Sequence, residues 1–342
     1  MNHSDRTRGA ARHTAVRLAA VFVLALLAAP APAQTLAGRV VRSGAPASGV
    51  TVELHRVTRN TRGPVSTVTT GAAGDFSIAL PPVQDTAGFT VFFATATTDG
   101  VRYFGPVVHG AAGDTNYRIE VFDTTTSRAV ADSVRVTRRD VVMVAGSEGG
   151  WEVAELVRLE NRARRTLVPD ATRPLFGIAI PKGSTAFQAG DGGPESDSPQ
   201  AGASQNPGDV VRVGDRVWVA APLVPGGRDL IFRYRLPASP RQAALPVEHT
   251  TDSVNVYVKQ PAPEMEVAGL AKPKPYEAEG DNFLLFSGAQ VRAGSSLGLD
   301  WRGPTPSPVD PRWAALALTG LVLAAGAWLG VRRGREPGAR GA

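Results

Sequence analysis

The side chains with chemistry to offer are few and scattered. The 342 residues include five histidines and no cysteine. Without thiols there are no disulfides, no thiolate nucleophile and no cysteine-held metal. His3 and His13 fall in a leader-like segment, so His55, His109 and His249 remain for folded chemistry. A peptidase zinc needs closely spaced His and Glu ligands on one rigid element. None of the three sits in an HxxE or HExxH arrangement, and His55 reads as an outward residue on a strand. The expectation is no catalytic residue, no metal site and no cofactor.

Three other patterns have residues that could carry chemistry. Gly294-Ser-Ser296-Leu-Gly298 matches G-x-S-x-G, the nucleophile-elbow pattern. An elbow requires a strand before the serine and a helix after it. Here Leu297, Leu299 and Trp301 continue as a strand, so a hairpin turn is expected instead. Asp191, Glu195 and Asp197 would offer oxygens to calcium but lack the D-x-D-x-D-G register, and read as a solvated acidic loop. Asp99-Gly100 is a two-residue hairpin signal that sets Ala96 opposite Tyr103 and Thr95 opposite Phe104. Phe92 and Phe93 then point to opposite sides, so each face carries aromatic rings. One set is core, and the other is covered by a loop or open to a ligand. Tyr103 and Phe104 are therefore the candidate ligand surface, a place for sugar rings to stack.

Strands must position these residues. Val50, Val52 and Leu54 alternate with Thr51, Glu53 and His55, the period-two pattern of a half-buried strand. Gly, Pro and Asp punctuate the chain so that strands are predicted over 36–42, 50–57, 65–70, 75–80, 89–97, 101–108 and 117–122. Short strands with regular turn residues point to a β-sandwich.

The same stretch resembles a known family. Gly38, Val40, Gly44, Pro46, Gly49, Val50, Val52 and Leu54 fall on the G-x-V, G-x-P, G-V-x-V-x-L pattern of carboxypeptidase regulatory-like domains. Thr70, Gly74 and Phe76 fall on its T-x-x-x-G-x-F element. The resemblance spans residues 36–123 and implies a small transthyretin-like or starch-binding-like sandwich. Such a domain is an accessory module beside enzymes and in surface proteins, and confers no peptidase activity. Val50, Val52, Leu54, Phe76 and Ile78 would be its core.

After a linker at 124–132, a second strand-rich region covers 133–302 and matches no family pattern. Leu230, Phe232, Tyr234 and Leu236 alternate with Ile231, Arg233 and Arg235, and Val254, Val256 and Val258 with Asn255 and Tyr257. Further strands are predicted over 151–159, 175–180, 210–213, 217–221, 282–286 and 296–301, making a second sandwich. Residues 189–208, rich in Gly, Ser, Pro and acids, read as a loop.

The ends of the chain speak of a membrane. An Arg-rich start, a short apolar run from Leu18 to Ala29 and Ala31-Pro32-Ala33 form a signal-peptide pattern over 1–33. Residues 313–331 are uncharged and apolar, long enough to span a bilayer as a helix. A Pro-rich stalk at 303–311 precedes the run. Arg332, Arg333 and Arg335 follow it and place the tail, 332–342, in the cytoplasm. The same stalk, helix and Arg cluster also resemble a sorting tail that a transpeptidase removes. Gly326 and Gly330 form a GxxxG match through which two such helices would pair. The formal charge of +6 is shared equally between residues 1–33 and 332–342, which leaves 34–331 at zero. Nucleic acid is therefore not an expected partner.

These readings predict an all-β chain of two β-sandwich modules followed by one transmembrane α-helix. The expected protein is non-catalytic, single-pass in a bacterial cytoplasmic membrane, with its ectodomain facing the periplasm or exterior. The modules would bind or scaffold an envelope protein. Carbohydrate binding through the first module is the alternative, and a hydrolase with an unrecognised site ranks third.

Overall fold

In Thr51–Val57 the side chains of Val52 and Leu54 are buried while Thr51 faces solvent. In Asp75–Ala79, Phe76 and Ile78 are buried between exposed Asp75, Ser77 and Ala79. This alternation is what a strand with one covered face requires. The computed structural model describes residues 34–83, 90–109, 113–147, 149–170, 174–190, 209–278 and 280–303. The expected signal peptide, stalk, helix at 313–331 with Gly326 and Gly330, basic tail, and Asp191, Glu195 and Asp197 lie outside them. The described chain is all-β: its only helix is α1 (Arg128–Ala131), and no helix there is long and apolar enough to cross a membrane.

The chain divides into two units. One comprises the described residues up to Val40 with Pro46–Ala96 and Gly105–Ile119. The other takes in Val41–Ala45, Thr97–Phe104 and the described residues from Glu120 on.

The first nine strands are β1 (Thr35–Arg42), β2 (Ala45–Pro46), β3 (Thr51–Val57), β4 (Arg62–Thr69), β5 (Asp75–Ala79), β6 (Val91–Thr98), β7 (Val101–Phe104), β8 (Val108–His109) and β9 (Asp114–Val121). One sheet runs β2-β1-β5 with β9 also on β1, and another runs β4-β3-β6-β7 with β8 on β6. Val50, Val52, Leu54, Phe76 and Ile78 are all buried. Gly38 pairs with Phe76, and a Cβ built on it would lie 1.8 Å from the Tyr117 carbonyl oxygen. Tyr117 is itself anchored: its hydroxyl donates to the Pro106 carbonyl at 2.5 Å and accepts from the Ala94 amide at 2.9 Å. Asp99 and Gly100 both have positive φ, 52° and 74°, the backbone of a type I′ hairpin turn.

The remaining strands are β10 (Thr124–Thr125), β11 (Arg135–Ala145), β12 (Trp151–Asn161), β13 (Thr166–Leu167), β14 (Phe176–Ala179), β15 (Thr185–Ala189), β16 (Val210–Val213), β17 (Arg216–Val219), β18 (Gly226–Leu236), β19 (Gln242–Val247), β20 (Thr251–Lys259), β21 (Glu264–Ala268), β22 (Lys274–Ala278), β23 (Asp281–Val291) and β24 (Ser295–Arg302). Seven form one sheet in the order β15-β18-β12-β11-β20-β23-β22. Its inner face shares one apolar core with the sheets β14-β17-β16 and β19-β24-β21, where Trp151 meets Trp301 edge-on at 6.1 Å. The segment 124–132, expected as a linker, instead carries β10, which pairs in parallel with β13, and α1. No strand is expected at 135–145, yet β11 sits at the middle of the largest sheet.

Candidate functional site

The two rings expected at a ligand surface part company. Tyr103 is 3% exposed; its hydroxyl donates to the Phe122 carbonyl at 2.9 Å and lies 2.9 Å from Thr166 Oγ1. Burial raises its pKa. The expectation of Tyr103 as a ligand platform is therefore corrected: it is a buried, hydrogen-bonded fastening within the second unit. Phe104, one residue on, points the other way and is 44% exposed. Period two settles that the rings face opposite ways. It cannot say which face is covered, because the covering partner, Thr166, comes from far along the chain.

The three histidines hold separate posts. His55 lies opposite the buried face of β3 as expected, but it is not loose. Its ring stacks on Phe93 at 5.0 Å, with Nε2 3.2 Å from Thr95 Oγ1 and 3.7 Å from the Glu53 carboxylate. His109 ends β8 at the surface. His249 stacks on Phe176 at 4.1 Å, and its Nε2 is 2.9 Å from the Gly177 carbonyl. Among the described residues no three His, Asp or Glu side chains gather as a metal site. Ser296 is the second residue of β24, opposite Pro246, with strand rather than helix after it. The turn before it joins two different sheets, so the expected hairpin is corrected to an inter-sheet connection.

Among the described residues a buried polar cluster also forms where the sequence pattern carries no signal for one. Arg139, on β11, points into the core of the second unit and meets Glu155 from β12. Its Nε and Nη2 donate to the two carboxylate oxygens at 2.7 and 3.2 Å, a bidentate pair. Nη1 donates to the Pro246 carbonyl at 2.7 Å and Nη2 to the Ala179 carbonyl at 3.0 Å. Pro246 is on β19 and Ala179 on β14, so one guanidinium ties together all three sheets around the core. Tyr234, from β18, donates its hydroxyl to Glu155 at 2.6 Å. The side chains of Arg139 and Glu155 are 4% and 0% exposed. Burial opposes the charge on Arg139, but the charge and hydrogen bonds of Glu155, with Tyr234 and Glu248 adding to them, together outweigh it and hold the guanidinium more firmly protonated. Burial, then the Glu155 charge, pushes the Tyr234 phenol well above its ordinary value. A phenol held protonated and a carboxylate saturated with donors are no base or nucleophile; they are a fastening.

A second cluster occupies the opposite face of the same sheet. Arg138 pairs with Asp140 at 2.5 Å, and Asn255 donates to Asp140 at 2.8 Å. Burial raises the Asp140 pKa, with Arg138 pulling against it, and burial likewise raises Asp229. Beside them Tyr257, Tyr276 and Phe283 form an aromatic group with centroids 5.5 to 6.5 Å apart. Burial pushes the Tyr257 phenol up to about 12.

No protein-family model matches the chain, and no curated protein matches it in sequence. Among solved structures it is similar to an M1 zinc metallopeptidase from Deinococcus radiodurans with a Tyr-Ser-Ala substrate bound. That likeness has a TM-score of 0.29 and 17% identity, over 49% of this chain and 42% of that one. A two-domain M1 zinc metallopeptidase bound to tryptophan gives 0.28 and 15%, over 49% and 43%. The chain thus spans less than half the length of these neighbours, at scores too low to carry fold or activity across.

Proposed function

We propose that this chain is a non-catalytic, membrane-anchored envelope protein. Its two β-sandwich modules, the first of carboxypeptidase regulatory-like type, bind or scaffold a partner outside the cytoplasm. The observation that carries this reading is the uncharged apolar run at 313–331, closed by Arg332 and Arg333 and preceded by an all-β region of zero net charge. The Arg139–Glu155–Tyr234 cluster supports it too, since those polar groups brace sheets. The test is topology. External protease should degrade the β region in spheroplasts, and the mature amino terminus should be Gln34. Soluble protein that retains Met1 would overturn the reading, whereas a mature form ending before Trp313 would point to removal by a sorting transpeptidase.

Carbohydrate binding through the first module keeps one specific support, the 44% exposure of Phe104. With Tyr103 buried, stacking falls on this single ring. Phe104→Ala should then abolish retention on insoluble polysaccharide with the melting curve unchanged; unaltered retention would dismiss Phe104 as the site.

A further inference from the structure

Strand β16 is a sheet edge: among the described residues it pairs with β17 alone. Val210 turns into the core with Val217 and Val219, so Val211 and Val213 face outward. They are 46% and 64% exposed, two of only four exposed large apolar side chains among the described residues. Trp218, opposite Val211, extends this apolar face; its ring lies over Gly177, where a Cβ would come within 2.6 Å of it. Other edges of the second unit are guarded against pairing: β22 by Lys274 and Pro275, β19 by Pro246, and β21 by Glu264 and Glu266. Strand β16 holds no proline, lysine or acid. Its one charge, Arg212, lies on the core side of the strand. There Nε donates to the Gly214 carbonyl at 2.8 Å and Nη2 to the Ser184 carbonyl at 2.7 Å. No acid pairs with this guanidinium among the described residues.

We propose that the β16 edge takes an added strand from a partner protein, an extended segment in which an acid stands between two β-branched apolar residues. The incoming backbone continues the ladder that β16 leaves open, and alternate side chains supply the specificity. The apolar pair lies beside Val211 and Val213. The acid falls on the other face, beside Arg212, and gives the guanidinium a carboxylate. Charge complementarity sets aside a second copy of this chain as the occupant. The strand reads Val-Val-Arg-Val, so pairing like with like would offer Arg212 no acid. The inference rests on the scaffold reading above and gives it a docking edge.

Calorimetry on the purified full-length chain in detergent tests it, with acetyl-Thr-Val-Glu-Val-Thr-amide as the probe. This peptide should bind saturably, and its counterpart with Lys in place of Glu roughly 10-fold more weakly. A form N-methylated at two successive amides should not bind, because one of the two must point at β16. Arg212→Glu should invert the preference between the Glu and Lys peptides. Val213→Lys puts a guard residue at an exposed position, so it should weaken binding roughly 10-fold with the melting curve unchanged. No saturation by the Glu peptide, equal binding of its N-methylated form, or an affinity indifferent to Val213→Lys would each overturn the proposal. Sedimentation that shows a dimer dissolved by Val213→Lys would give the edge to a second copy and overturn it as well. All these outcomes leave the protease and amino-terminus measurements untouched, so loss of the docking edge is distinguishable from loss of the scaffold reading.

Discussion

Arg138 and Arg139, adjacent on β11, project to opposite faces of the seven-stranded sheet, and their partners differ accordingly. Arg139 has Glu155 in the core, where breaking the pair strands a buried charge. Glu155→Gln should therefore cost about 3–5 kcal/mol in urea unfolding. Tyr234→Phe removes one hydrogen bond to that carboxylate and should cost about 1.5–3 kcal/mol. Asp140 is a different case, because its raised pKa shows that Arg138 and Asn255 do not fully offset its burial. Asp140→Asn should cost less than about 1 kcal/mol, since Arg138 retains the field of Asp229. The sign of the pH effect follows. With its folded pKa above the unfolded one, Asp140 binds its proton more tightly when folded. Wild type should thus gain stability over Asp140→Asn as pH falls through that raised value towards the ordinary aspartate range. A difference flat across acid pH would contradict the argument. His55, stacked on Phe93 and only 12% exposed, should lose about 1 kcal/mol on change to Ala.

At the scale of elements, the first nine strands were largely readable because clean period-two alternation and turn residues bound them. The family-pattern glycine Gly38 gains a physical reason in the structure. No side chain fits between β1 and the Tyr117 carbonyl, so Gly38→Ala should destabilise by about 1–3 kcal/mol or more, with lost near-UV dichroism as the readout. Strand β11 was hidden for two reasons. A register slip between Val136 and Arg138 breaks the alternation, and Arg138-Arg139-Asp140 looks like a solvated turn. Arg138 and Asp140 pair with each other, but Arg139 finds its partners on β12, β14 and β19 and Asp140 a further one on β20, which sequence distance conceals. The buried cluster was illegible for the same reason: Arg139 and Glu155 are ordinary surface types until the sheets close over them. The Asp99-Gly100 turn, by contrast, was legible because only its own two residues decide it.

For the molecule as a whole, the zero balance between residues 34 and 331 has a direct consequence. The purified β region should pass through immobilised duplex DNA at physiological salt, with no salt-dependent retention. Retention that weakens linearly with the logarithm of salt would reveal a cationic surface the balance does not suggest. The arrangement of the last strand bears on another quantity altogether. Strand β24 is the middle of its sheet, paired antiparallel to β19 on one side and β21 on the other. Antiparallel hydrogen bonds run across the strand direction. Tension drawn along β24 from Arg302 therefore meets two rows of bonds in shear, which must give way together. A chain tethered at that end would be mechanically stiff where the tether enters it, and would yield elsewhere first.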